Sequence, residues 1–295
     1  MIDTLTDNIL LEIFDFYRHT HDDTLWEWHI LVHVCRRWRQ IVFESPRRLH
    51  LKIRCTTKTP SRKNLNIWPA FPIAIDFRPT FFDSIPGDAI AAFEDTRRIG
   101  HLKLDLTYWQ METLVTMASK PSPALTHLVI RVEIGYPPHL PDDFLGGYAP
   151  RLQLIHLRNV AFPALQTLLL SASHLVELQL HRMPIDGNVI LPVAMATCLA
   201  QLPRLKILVY QYQSAFSPPD PTHPPPVTHT VLPALTDFKF TGTSKYLEDF
   251  VAQILCPQID QIEISYRIRP AFQVAQLTKF FNRSISPFKH AKVCF

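Results

Sequence analysis

Seven times along this chain an apolar residue is followed by two variable positions, a second apolar residue, one variable position and a third apolar residue. The units begin at Ile99, Leu125, Leu152, Leu175, Leu205, Leu235 and Ile259, at spacings of 26, 27, 23, 30, 30 and 24 residues. No other feature restricts the fold as much, because a unit of this length cannot bury its own apolar residues and a stack of neighbours can. Helix-like stretches at 111–118, 163–172, 193–202, 246–255 and 271–281 separate the triplets. The pattern therefore predicts an α/β chain in which strand alternates with helix.

Strand and helix alternating at this period is the layout of a leucine-rich-repeat solenoid, which predicts a parallel curved sheet over 99–295. The turns carry no consistent Asn, so the repeats are irregular. Segments 49–54 and 73–77 read as earlier strands inside a linker and first irregular repeats at 49–98. The proline-rich stretch 217–227 reads as an inserted loop, since proline lacks the N–H that strands and helix interiors require. The sequence closes at 288–295 on a strand-like segment with no polar cap, which predicts either a shortened chain or an exposed edge strand.

If the triplets face the core, strand alternation turns the residues between them to the opposite, concave face. Three lanes result. The middle lane is Lys103, Val129, His156, Gln179, Val209, Lys239 and Glu263. On its carboxyl side run Asp105, Arg131, Arg158, His181, Gln211, Thr241 and Ser265, and on its amino side His101, His127, Leu154, Glu177, Ile207, Asp237 and Gln261. Cations and histidines dominate the early strands, which suits a partner of opposite polarity. The target-facing set is Lys103, His127, Val129, Arg131, His156, Arg158, Gln179, His181, Val209, Gln211, Lys239 and Glu263. His101 and His127 fall on consecutive repeats, so recognition is expected to respond as pH falls through the histidine range.

The first 48 residues differ from the rest. Leu5-Thr6-Asp7 opens a helix with Ile9, Leu10, Ile13, Phe14 and Tyr17 at helical spacing, and a second apolar-periodic stretch runs from Trp26 to Val42 before Pro46. Two or three short helices make a small core, so such a module needs a partner surface. Leu5-Thr6-Asp7-Asn8-Ile9-Leu10-Leu11-Glu12-Ile13-Phe14 followed by Leu31-Val32-His33-Val34-Cys35-Arg36-Arg37-Trp38-Arg39 closely resembles an F-box, with Thr6 where that family usually has proline. The resemblance implies three helices that dock on the Skp-type adaptor of a cullin-RING ubiquitin ligase through Leu5, Ile9, Ile13, Phe14, Leu31, Val34, Cys35 and Trp38. Leu10, Leu11 and Ile41 read instead as the module's own core. Ser45-Pro46-Arg47-Arg48-Leu49, Trp68-Pro69-Ala70 and the stretch from Leu145 to Leu152 resemble the repeat region of basidiomycete-type F-box proteins.

Composition narrows the chemistry. The chain has 295 residues, 47% of them apolar, with only 7 glycines and no glycine-rich phosphate loop. Its five cysteines are never paired as C-x-x-C, which predicts a reducing compartment, cytoplasmic or nuclear, and no zinc knuckle. Neither a membrane partner nor a cofactor nor a metal is expected. His29 and His33 stand one helical turn apart without a third ligand nearby, and Ser286 to Lys289 matches a Ser-x-x-Lys spacing without its companion motifs. No catalytic residue is assigned. The sequence therefore predicts a non-enzymatic substrate-recognition adaptor. Its alternatives are a binder of nucleic acid or acidic surfaces, a class the sequence does not favour, and a repeat scaffold that docks on no ligase. The first alternative would use segment 36–63, which holds ten of the 30 basic residues and one acid.

Overall fold

The computed structural model describes residues 4–19, 28–45, 48–49, 52–56, 71–78, 91–94, 96–115, 120–133, 135–184, 190–212, 229–266, 275–283 and 290–294. The proline-rich stretch, Arg47, Lys58, Arg62, Lys63, the segment at Trp68 and the Ser286 to Lys289 pair lie outside these residues, as does the His29 side chain.

Helices α1 (Asp7–His19), α2 (Trp28–Val34) and α3 (Arg36–Glu44) form the amino-terminal module, with α1 and α2 both packed on α3. The single apolar period running up to Val42 resolves into two helices because Cys35 is extended, at φ −157°. Its Sγ accepts a hydrogen bond from the Trp38 amide at 3.4 Å, satisfying an N–H that the first turn of α3 leaves without a helical partner. Leu10, Leu11, Phe14, Leu31, Val32, Ile41 and Val42 fill the core, and the Phe14 ring lies 4.7 Å from that of Trp38. Phe43 meets Phe71 at 6.0 Å, joining this core to the sheet that follows.

Among the described residues ten strands form one sheet in strict chain order, and every pairing is parallel. They are β1 (Ile53–Thr56), β2 (Ile73–Phe77), β3 (Ile99–Leu106), β4 (His127–Val132), β5 (Leu154–Arg158), β6 (Glu177–Met183), β7 (Ile207–Tyr212), β9 (Asp237–Gly242), β11 (Gln261–Tyr266) and β12 (His290–Cys294). The short strands β8 (Thr230–Val231) and β10 (Ile254–Leu255) pair separately. The apolar triplets sit in register: Leu102, Leu128, Ile155, Leu178, Leu208, Phe238 and Ile262 form one continuous row, all buried. Each such side chain stabilises the fold by ~1.5–3 kcal/mol through burial.

The helices α4 (Tyr108–Val115), α5 (Leu165–Ser171), α6 (Pro192–Leu199), α7 (Ser244–Val251) and α8 (Ala275–Arg283) lie in the connections between strands. Helix α5 packs on α6, α6 on α7 and α7 on α8, so these four make one layer. Element boundaries depart from the sequence expectation by a few residues, and two of the departures have a local cause. The helix expected over 246–255 stops at Val251, since Ile254 and Leu255 are taken up by pairing with Thr230 and Val231. The first strand is β1 at 53–56, later than the expected 49–54, because Leu49 is held in a turn by its N–H to the Ser45 carbonyl at 3.1 Å.

Between β4 and β5 the chain passes through three successive left-handed residues, Leu145, Gly146 and Gly147, at φ 56°, 62° and 63°. A Cβ on Gly146 would sit 2.7 Å from Pro121 Cγ and 3.0 Å from the Pro121 nitrogen, inside ordinary contact. Gly146→Ala is therefore expected to destabilise the protein by about 2 kcal/mol or more, from the left-handed backbone and the clash together. Gly147→Ala, which meets only a methyl at 3.8 Å, should cost about half as much. Urea titrations of the two variants measure the difference.

Candidate functional site

Two surfaces emerge. On the amino-terminal module, Ile9, Ile13 and Phe16 follow one another on one stripe of α1 and are 46%, 44% and 73% exposed. Ile30 and Val34 of α2 are 57% and 54% exposed. Five large apolar side chains on a pair of short helices exceed what a module of this size leaves bare without reason. Of the docking residues expected from the sequence, Ile9, Ile13, Val34 and Cys35 are at the surface, whereas Leu5 and Trp38 are half-buried against the core. Phe14 and Leu31 require correction. At 1% and 9% exposure they are core residues, because Phe14 is directed inward beside Trp38 and Leu31 packs with Val32 and Ile41. Phe16 and Ile30, which the sequence reading did not single out, are exposed apolar residues on the same two helices. Phe16 follows Ile9 and Ile13 at the i, i+4, i+7 spacing, a signal already present in the sequence.

Polar contacts fasten the same module. Arg37 pairs with Asp7 at 2.7 Å and also donates to the Leu5 carbonyl, and Arg48 pairs with Glu12 at 2.5 Å. Arg39 donates to the Val32 carbonyl at 3.0 Å. Arg54 pairs with Asp76 at 2.6 Å. Much of the described part of the basic segment is thus committed to partners within the chain.

The second surface is the sheet face opposite the apolar row. The three lanes read from the sequence run through it in register, from Lys103 across Val129, His156, Gln179, Val209 and Lys239 to Glu263, and from His101 to Gln261. The carboxyl-side lane is interrupted once, where the ladder shifts between Leu180 and Met183; His181 still reaches Gln211 through a 3.3 Å contact. Val129 is a correction: at 8% exposure, between the longer Lys103 and His156, it is buried and contributes no open surface. The other expected target-facing residues are half-buried or exposed.

A network of histidines and amides crosses the middle of this face. His156 Nε2 lies 2.8 Å from Glu177, which also accepts from Gln179 at 2.5 Å, and Gln179 Oε1 meets His181 at 3.0 Å. His101 and His127 stack with ring centroids 4.1 Å apart and planes 21° from parallel. Lys52 donates to His101 Nε2, so that nitrogen is unprotonated. Burial, then the positive Lys52 and His127, push His101 down to about 3. Burial, followed by Lys52 and His156, lowers His127, and burial also lowers His181. The expected response of recognition through the ordinary histidine range is corrected accordingly for His101, whose protonation falls well below pH 6.

Along the carboxyl ends of the strands runs a chain of alternating charge. Asp76 accepts from Arg54 and, at 2.9 Å, from Arg78; burial works against its charge, but Arg78 and Arg54 together hold its carboxyl below the ordinary range. Arg78 reaches Asp105 at 3.5 Å and Arg131 reaches Asp105 at 3.6 Å. Beyond Arg131 two adjoining clefts open, of about 560 Å³ and 420 Å³. Arg131, Arg158 and Arg182 line both. Farther along, Glu263 lies between Lys239 at 3.3 Å and Lys292 at 3.7 Å.

Among the described residues no group of three His, Cys, Asp or Glu side chains converges as a metal site would require. No helix among them is long and apolar enough to cross a membrane. No family model matches the chain, and no curated protein matches it.

The stacked histidines make a stability prediction. His101 titrates at about 3 when folded and near 6.5 when unfolded, so the unfolded chain binds more protons between these values. Stability is therefore expected to fall as pH drops from 6.5 toward 3, by on the order of a few kcal/mol from this group. His101→Gln should flatten the slope of unfolding free energy against pH between about 6 and 4. An unchanged slope in denaturant titrations would show that the buried pair is not the cause.

Proposed function

We propose that the chain is a non-enzymatic recognition adaptor, in which α1 to α3 act as an F-box that docks on the Skp-type adaptor of a cullin-RING ligase and an irregular leucine-rich-repeat array presents a target. The observation that carries this reading is the exposed apolar stripe of Ile9, Ile13 and Phe16 on α1, together with exposed Ile30 and Val34 on α2, on helices whose sequence resembles an F-box. The in-register strand and helix units, with a polar face free for a partner, support the second half. The domain boundaries follow: 1–48 for docking, 49–98 for the junction and 99–295 for the repeats.

Its mechanism is proximity. Holding a target beside a ubiquitin-charged enzyme raises the effective concentration of the target's lysines without chemistry by the adaptor. No cofactor enters, and the compartment is the cytoplasm or nucleus. A nucleic-acid role for segment 36–63 is disfavoured by the intramolecular commitments of Arg37, Arg48 and Arg54, since a phosphate-binding surface needs its cations free.

Mixing the purified chain with a purified Skp-type adaptor and resolving them by size exclusion tests the docking half. Co-elution is expected for the wild type. Ile13→Asp, on a 44% exposed position, should reduce adaptor affinity by about tenfold or more at unchanged melting temperature. Phe14→Ala should instead lower stability by about 3 kcal/mol, through the cavity it opens beside Trp38. Failure of the wild type to co-elute assigns the chain to the repeat-scaffold class.

A further inference from the structure

The alternating charges on the polar face stop short. Arg54, Asp76, Arg78, Asp105 and Arg131 follow one another as base, acid, base, acid, base across β1 to β4. After Arg131, whose acid stands at 3.6 Å, the next two repeats supply Arg158 and Arg182, and neither has a carboxylate partner among the described residues. Both line the two clefts, and Arg158 is exposed. The backbone turns left-handed just after Arg158 and at Arg182. Asn159 is left-handed at φ 55°, a conformation asparagine tolerates, with its Nδ2 donating to the Glu133 carbonyl at 2.8 Å and its N–H to the His181 carbonyl at 3.0 Å. Arg182 takes the same left-handed turn one repeat later, at φ 51°, where an arginine gains nothing from its own side chain.

A guanidinium presents a planar fork of donors that matches the two oxygens of a carboxylate or phosphate. We infer that the cleft between Arg131, Arg158 and Arg182 binds a short anionic determinant, one or two acidic side chains, on a protein partner. Its volume of about 420 Å³ accommodates a side chain with its flanking backbone. The surroundings select for shortness. Asp105 and Glu133 stand among the arginines of the neighbouring cleft and Glu177 stands in the amino-side lane, so a long polyanion laid across the face meets carboxylates as well as cations. A nucleic acid is thereby disfavoured and an acidic peptide favoured. This inference builds on the reading of the sheet face as the target-presenting surface, but it does not depend on adaptor docking, which involves α1 to α3.

Fluorescence anisotropy of the full chain, without any ligase component, is the test. The probes are a labelled Gly/Ser peptide carrying two adjacent glutamates, its phosphoserine and glutamine counterparts, and a labelled single-stranded oligonucleotide. Either anionic peptide is expected to bind about tenfold or more tightly than the glutamine peptide, with affinity falling as salt rises. The ratio of glutamate to phosphoserine affinity identifies which oxyanion the cleft takes. Arg158→Gln and Arg182→Gln should each weaken that binding by about tenfold at unchanged melting temperature, while Arg158→Lys should recover part of it. Arg131→Gln replaces either variant that fails to fold. Equal binding of the glutamine peptide, no binding of any peptide, insensitivity to these arginines, or tighter binding of the oligonucleotide would each overturn the inference. Loss of adaptor capture by Ile13→Asp with peptide binding retained would separate the two surfaces.

Discussion

Parallel register is the constraint on which the rest of this molecule depends. Each strand-and-helix unit carries one row of apolar residues and no means of covering it, so burial is achieved only when the next unit stacks with its own row at the same height. From Leu102 to Ile262 that row is continuous and buried, and the same register places every residue between the triplets in a lane on the opposite face. A slip of one residue would exchange the two faces, exposing leucines and burying arginines. The polar surface is thus as firmly specified as the core.

That coupling explains what was legible in the amino-acid sequence. The triplets at Leu125, Leu175 and Ile259 announce strands because their period and spacing have no alternative use, and the lanes follow from alternation alone. Helix ends were less legible, since Ile254 and Leu255 belong to a small two-stranded ladder whose partner, Thr230 and Val231, lies before β9 and α7 in the chain. The direction of individual side chains in the amino-terminal helices was least legible. Phe14 and Phe16 are both aromatic residues of one short helix, and only the packing of α1 on α3 decides that the first is inside and the second outside. Val129 shows the same limit on the sheet, where its longer neighbours Lys103 and His156 decide its burial.

Electrostatics differentiate the two surfaces. On the helical module Arg37 and Arg48 pair within the chain, with Asp7 and Glu12, and the stripe of Ile9, Ile13 and Phe16 is exposed and apolar. Exposed ion pairs of this kind contribute little to stability, typically less than ~1 kcal/mol each, so their role is to fix geometry and neutralise charge around the stripe. On the sheet the order is reversed: the apolar triplets are spent in the core, and Arg158 and Arg182, which follow Arg131, have no carboxylate partner among the described residues. One surface is suited to a desolvated apolar contact and the other to a directional, salt-sensitive one.

Hydrogen–deuterium exchange of the full chain, with and without a purified Skp-type adaptor, addresses this division most directly, because it reports every backbone segment at once. The account predicts that slowed exchange on adding the adaptor is confined to α1 and α2, around Ile9, Ile13 and Val34, while β4 to β6 exchange as before. Slowed exchange along β4 to β6 with α1 unaffected, or no change anywhere in the chain, would contradict it.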